Sequence, residues 1–392
     1  MNYPWSRPSA APHELPRTDD EWRRRATSCA EGAFQRAGEL DSDDAFPDDE
    51  FEALHRCGLL AAPLALEFGG AGLGLDGHRA QLTADVLSVI GWGSLALGRL
   101  YEGHVNALRL IQTYGSPSQI KACAEDVRTG LIFGVWNTQG ADGLTLDFDD
   151  DDGFRLRGRK IFASGAGRVM RPLVTARRQD GGLMMVVARL SESEARSRSD
   201  LSGWRAHGMR ASASGAFDFT GLRVEPSDII GDAEDYHAQP AFSAGAWRFC
   251  AVQLGGIERL LDCTRQHLRD TGREADPAQL MRVGQAATAA QSARLWVEAA
   301  ARRAENHRDE DPQALIAFVN LTRGAVERAG LDVLELTQRS IGLQGFLRTH
   351  AVERIVRDLA TYLRQPAPDK ALMDAAVHVV ARSSAARDLW RP

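Results

Sequence analysis

No run of eighteen apolar residues occurs anywhere in the 392-residue chain, so no membrane-spanning helix is expected. Cysteine is scarce. Cys29, Cys57, Cys123, Cys250 and Cys263 are odd in number, scattered, and never spaced CxxC. That argues against a disulfide or zinc framework and for reduced, mostly core-packed thiols in a cytoplasmic protein. The ten histidines show no HExxH or HxxxH spacing, so no metal site is expected. A G-x-S-x-G elbow is absent too, and neither Ser164 nor Ser214 stands out as a nucleophile. Positive charge is not in excess: 47 basic against 53 acidic residues give −6, which argues against a nucleic-acid partner. Residues 1–17 carry proline and charge where a signal peptide needs an apolar core, and read as a flexible leader. Two apparent motifs fail on inspection. GLGLDG (72–77) fits G-x-G-x-x-G but lies among helical patterns, so it reads as an interhelical loop. DFDDDDG (147–153) has Asp152 and Gly158 where a calcium loop needs glycine and glutamate, and reads as a solvated hairpin turn.

What is present is a change of rhythm along the chain. In the first part, PDDEFEALHRCG places Phe51 and Leu54 on one helical face and stops at Gly58. Leu82, Val86 and Ile90 mark a second helix, and LALGRLYEGHVNALRLIQTYG a long, mostly buried third. SPSQIKACAEDV opens with a capping box, Ser116 to Gln119, and proline at the first helical position. From about residue 131 the segments turn short and β-rich: LIFGVW, LTLDF, FRLRGRKIFA, PLVTAR, LMMVVARL and AFDFTGLRVE. They predict a compact antiparallel β-domain. After residue 240 helical spacing returns, with Asp–Pro starts at DPAQLMRV and DPQALIAF. The division is a leader (1–17), an N-terminal helical domain (18–130), a middle β-domain (131–230) and a C-terminal helical bundle (231–392), an α+β chain.

Six stretches taken in order carry a resemblance: APLALEFGGAGLG (62–74), FGVWNTQGADG (133–143), GRKIFASGAG (158–167), HGMRASASGAFDFTGLRV (207–224), GGIERLLD (255–262) and IGLQGFLRTHAVERIVRD (341–358). Together they resemble the acyl-CoA dehydrogenase family over about residues 45–382. The resemblance implies a helical N-terminal bundle, a middle β-domain and a C-terminal four-helix bundle. It also implies FAD between the last two, and subunits that pair as homodimers or homotetramers and complete each other's flavin sites. The family's Thr-Glu-Pro strand end corresponds to Thr138, Gln139 and Gly140, with Trp136 and Asn137 beside it, so Thr138 would face the isoalloxazine edge. Its Trp-Ile-Thr corresponds to Phe162, Ala163 and Ser164; Phe162 would pack on the flavin and the Ser164 hydroxyl would face N5. Protein contacts at those ring positions tune a flavin's electronics.

The departures are as telling. The partner-facing Arg-x-x-Phe-Gly loop survives only as Arg269 to Gly272, without its phenylalanine. In the glycine-rich turn near Gly342, Arg339 stands where the family has glutamine and Leu343 where it has glycine. Leu144 replaces the serine that grips a pantetheine. The catalytic glutamate, eight residues past the helix-ending Arg-Asp, falls on Pro366 in LRQPAPDK, and the family's second base position falls near Gly245. Glu102 is the best substitute base, in RLYEGHVNA on a helix whose counterpart lines the acyl pocket. His104 nearby could titrate near neutrality, and Asp369 is a weaker candidate. The leading expectation is therefore FAD-dependent α,β-oxidation of an acyl thioester, CoA- or carrier-bound, with an unspecified electron acceptor. A flavin-dependent monooxygenase and a non-catalytic flavin or acyl binder stay open as alternatives.

Overall fold

The computed structural model describes residues 16, 18–149, 153–306, 310–364 and 366–390. The expected leader lies almost wholly outside them, as does the tip of the acidic hairpin at 150–152.

Five helices lead: α1 (Asp19–Arg36), α2 (Asp48–Arg56), α3 (Ala80–Gly93), α4 (Leu95–Tyr114) and α5 (Pro117–Arg128). Their starts follow local chemistry. Thr18 and Glu21 close a capping box on α1, and Ser116 and Gln119 close the one expected on α5. GLGLDG sits between α2 and α3 with no strand before it.

Nine strands follow: β1 (Phe133–Trp136), β2 (Gln139–Asp149), β3 (Gly153–Ala163), β4 (Arg171–Arg178), β5 (Leu183–Val187), β6 (Ser199–Asp200), β7 (Gly215–Asp218), β8 (Leu222–Val224) and β9 (Ile229–Ile230). A short helix, α6 (Glu192–Ser197), precedes β6. The sheet order is β6-β7-β3-β2-β4-β5-β9, with β1 also on β4 and β8 also on β3. The all-antiparallel expectation needs correcting: β1 and β2 both run parallel to β4. They lie end to end along the same edge. AFDFTGLRVE is also two strands rather than one, divided at a turn where Gly221 has φ +81°.

The C-terminal part holds α7 (Ala241–Ala244), α8 (Trp247–Asp270), α9 (Pro277–Glu305), α10 (Pro312–Ile341), α11 (Ala351–Tyr362) and α12 (Pro368–Ala381). Asp276 and Asp311 cap α9 and α10, each with proline at the first turn. Helices α8, α9, α10 and α12 form the bundle, and α11 lies against α8. One apolar core runs through all three parts. It is closed where α3 crosses α8: a Cβ on Gly91 would stand 2.3 Å from Val252 O, and one on Gly255 1.9 Å from Ser88 O. Only paired glycines allow that approach. Among the described residues no helix is long and apolar enough to cross a membrane.

Candidate active site

The site begins with an interruption in a strand. Trp136 pairs with Val174, and the next partner on that edge is Thr145 with Arg177. Nine steps on one side (136 to 145) face three on the other (174 to 177), so six extra residues bulge away from β4, although Gln139 and Leu144 still pair with β3. That excursion carries Asn137 and Thr138. Beside it, β3 ends in Phe162, Ala163 and Ser164, so the structure brings the two expected segments together. Ile161 N donates to Thr138 O (3.1 Å) and Trp136 Nε1 donates to Ser164 O (2.9 Å). Trp136 is buried against Phe217 and Phe219. Ala163 is buried as well, whereas Thr138 is exposed.

Phe162 is 59% exposed and its φ is +52°, a region costly for a bulky residue. Met209 (φ +59°) and Ala213 (φ +40°) share this strain in the adjoining loop. The loop is tied to the strand end by Gly165 N to Ser212 O (2.8 Å) and Ala166 N to Ala213 O (3.1 Å). Strain gathered at one place, held by surrounding bonds, marks functional geometry. Trp204 meets Phe162 edge-on with centroids 6.4 Å apart. Ser214 Oγ donates to Ser164 Oγ (3.2 Å), and Ser212, 2.8 Å from Ser214, donates to Met209 O (2.7 Å). Ser164 thus accepts a bond, and its own proton has no acceptor among the described residues. An exposed aromatic wall beside the Thr138 hydroxyl and the undirected Ser164 proton suits the face and edge of an isoalloxazine.

Below this platform lies Lys160, fully buried. Its Nζ donates to Asn137 O (3.0 Å) and Thr175 Oγ1 (3.0 Å), and Thr175 donates to Asn137 Oδ1 (2.5 Å). Burial pulls its ammonium down to about 7. The sequence reading passed over Lys160. Its signal was there: it falls in phase with Phe154 and Leu156 on the inward face of β3. The loop is also anchored from α11, where Asp358 Oδ1 accepts from Met209 N (2.6 Å) and Arg357 donates to His207 O (2.8 Å). A cleft of 320 Å³ opens there, with Arg205, His207, Arg210, Arg348 and Arg357 among its lining and Asp43 and Glu353 opposing them.

Glu102 is buried on α4, and both its oxygens are engaged. Arg99 donates to one (2.6 Å) and Asn106 to the other. The pairing continues across to α8. Arg248 Nε donates to Asn106 Oδ1 (2.5 Å), Arg248 Nη1 to Glu305 (2.9 Å), and Arg109 to the second Glu305 oxygen (3.2 Å). Trp247 Nε1 completes the set on Glu305 (3.1 Å). Nothing in the local sequence around Glu102 signals this chain of charges, because Arg248 and Glu305 come from distant helices. His104 corrects the expectation of near-neutral titration: burial lowers it to about 4. One ring nitrogen meets Leu60 O (2.9 Å) and the other accepts from Phe133 N (3.1 Å), so it is a neutral structural imidazole. Beside Arg99 and Glu102 stands the buried Tyr362 phenol, whose hydroxyl has no well-formed hydrogen bond. Tyr236, edge-on to His237 and tilted against Phe242, lies within electrostatic reach of the same pair.

The two family base positions hold no acid. Pro366 is an exposed bend whose carbonyl accepts from Arg323. A Cβ on Gly245 would stand 2.5 Å from Arg248 Nη2, so a guanidinium borders that position. Asp369 is exposed at the start of α12. Arg269, Arg339, Gly342 and Leu343 gather elsewhere, on the surface where α8 and α10 end. Arg269 donates to Gln266 (2.6 Å) and Arg339 to Glu335 (3.3 Å).

Comparison with known proteins agrees with this architecture. The family description "Acyl-CoA dehydrogenase, N-terminal domain" matches residues 17–130, and "Acyl-CoA dehydrogenase, C-terminal domain" matches 236–363. Dibenzothiophene monooxygenase of Rhodococcus erythropolis is 25% identical over 353 residues, 80% of this chain and 82% of that protein. Two solved structures share the fold at 20% identity. TdsC of Paenibacillus sp. A11-2, bound to FMN and indole, has a TM-score of 0.81 over 94% of this chain and 99% of that one. Methanesulfinate monooxygenase MsuC of Pseudomonas fluorescens has 0.77 over 96% and 100%. The chain belongs to the acyl-CoA dehydrogenase family of flavin-dependent oxidoreductases.

Proposed function

We propose that this protein is a flavin-dependent monooxygenase on the acyl-CoA dehydrogenase fold, with FMN rather than FAD as its flavin. One observation carries the reading: no free carboxylate stands where the family removes an α-proton. Pro366 and Gly245 fill the base positions, and Glu102 spends both oxygens on Arg99 and Asn106. An α,β-dehydrogenation needs such a base; oxygen transfer to a heteroatom does not. The similarity to several monooxygenases supports the same choice. FMN is favoured because TdsC is bound to it and because this chain lacks the phenylalanine of the adenine-side loop.

A bound reduced flavin supplies the electrons that activate dioxygen. The chain's residues supply the rest. Phe162 and Trp204 make an apolar wall that keeps water from the ring. Thr138 and Ser164 offer hydroxyls to its edge, and Lys160 holds Asn137 and the strand end in place. The arginine-rich cleft beside Arg205 and Arg210 would take the phosphate. Tyr236, Phe242 and the Tyr362 phenol gather around Arg99 and Glu102, and this aromatic set with a few polar points would suit a small heteroaromatic better than a straight acyl chain. A second copy of the chain would cover the exposed apolar face of α12, where Leu372, Met373, Val377 and Val380 lie, giving a homodimer or homotetramer. The test is anaerobic mixing of the FMN-loaded protein with octanoyl-CoA. The proposal requires that the flavin stays oxidised; bleaching within seconds would return the protein to the dehydrogenases.

A further inference from the structure

Two of the five thiols are brought together by the fold although 28 positions separate them in sequence. Cys29 on α1 is buried, and Cys57, at the end of α2, is half-exposed. The Cys29 thiol donates to Cys57 Sγ at 3.3 Å. We propose that Cys29 and Cys57 form a redox modification site that takes a hydroperoxide and closes to a disulfide.

The geometry distinguishes the two roles. Cys57 is the one a small oxidant can reach, and its surroundings favour the thiolate. The hydrogen bond from Cys29 comes first, with the Arg25 and Arg56 guanidiniums adding to it, and together they bring its thiol down to about 6. Arg25 is fixed in place by its bond to Cys57 O (3.1 Å). Cys29, held back from solvent beside it, is placed to resolve. Among the described residues the other three cysteines have no thiol partner, and Cys263, though half-exposed like Cys57, has no lowered thiol. Burial pushes Cys123 and Cys250 up to about 12 and raises Cys263 as well. Closing the pair requires the sulfurs to approach from 3.3 Å to the ~2.05 Å of a disulfide.

The chemistry balances without another reactant. The Cys57 thiolate attacks one peroxide oxygen: an S–O bond forms, the O–O bond breaks, and hydroxide leaves to take up a proton as water. This gives a sulfenic acid. The Cys29 sulfur then attacks the Cys57 sulfur; the S–S bond forms, the S–O bond breaks, and the departing hydroxide takes the Cys29 proton as a second water. Two thiols lose two electrons and two protons, and one hydrogen peroxide becomes two waters.

The experiment treats the reduced full-length protein with one equivalent of hydrogen peroxide at pH 7. Thiols are then counted after denaturation, and peptides are mapped by mass spectrometry without reduction. Wild type should fall from five thiols to three (five minus the joined pair), with a Cys29–Cys57 crosslink reversed by dithiothreitol. Cys29→Ser should instead accumulate a dimedone-reactive sulfenic acid at Cys57. Cys57→Ser should keep its remaining thiols at the same dose. Five surviving wild-type thiols, or earlier oxidation at Cys123, Cys250 or Cys263, would overturn the proposal.

Discussion

Replacing Lys160 with methionine keeps the length and apolar stem of the side chain and removes its amine. Two effects of opposite sign follow. The first is loss of the Nζ bonds to Asn137 O and Thr175 Oγ1, which leaves a buried carbonyl unsatisfied and costs about 1–3 kcal/mol at any pH. The second depends on pH. The amine titrates at about 7 in the folded protein against an ordinary 10.5. Between these values the unfolded chain binds more protons, so wild-type stability rises with pH across that window. Above 10.5 the lysine is neutral in both states and burial carries no ionisation cost. As pH falls the cost grows, and it is complete just below 7. From pH 7 to pH 9 the linkage amounts to about 2 kcal/mol of added wild-type stability. Lys160→Met should lack this rise. It should lie close to wild type at pH 9, where about 2 kcal/mol of ionisation cost offsets the lost bonds, and be more stable than wild type by about 2 kcal/mol at pH 7. Urea denaturation followed by tryptophan fluorescence at the two pH values measures the difference directly. A gap between the proteins that does not change with pH would refute the reasoning.

Three further outcomes are expected. Ser164→Ala should keep the fold and weaken FMN binding roughly tenfold, the worth of one hydrogen bond near 1.4 kcal/mol, read by fluorescence titration of the apoprotein. Glu305→Ala leaves the buried Arg248 and the partly buried Arg109 without their shared partner and should destabilise by about 3–5 kcal/mol in chemical denaturation, far more than any exposed ion pair. Val380→Asp puts a charge on the apolar face of α12 and should lower the mass seen by light scattering toward that of one chain, leaving the far-ultraviolet circular dichroism unchanged.

Local chemistry was readable in the sequence, and long-range pairing was not. The capping box at Ser116 and the Asp–Pro starts of α9 and α10 act within four residues, so their signals lie in one short window. Strand positions were also visible, but a short apolar run says nothing of direction, which hid the parallel pairing of β1 and β2 on β4. The platform could be placed because Trp136–Thr138 and Phe162–Ser164 sit in recognisable stretches. Its support could not. Thr175 reaches Lys160 from fifteen residues away, and Arg248 finds Glu305 across fifty-seven, through tertiary packing alone. Glu102 shows the limit most clearly. Its place on a mostly buried helix is legible in the sequence, yet only the folded chain shows Arg99 and Asn106 occupying both of its oxygens.

A monooxygenase on this fold would use its flavin to put oxygen into a substrate. The most direct measurement mixes the protein and chemically reduced FMN with ¹⁸O₂ and a small heteroaromatic such as indole or dibenzothiophene, then weighs the products by mass spectrometry. The expected result is one ¹⁸O atom per product molecule, formed only when protein, reduced flavin and substrate are all present. Unlabelled substrate throughout, with rapid flavin reduction by an acyl-CoA in the absence of oxygen, would contradict it.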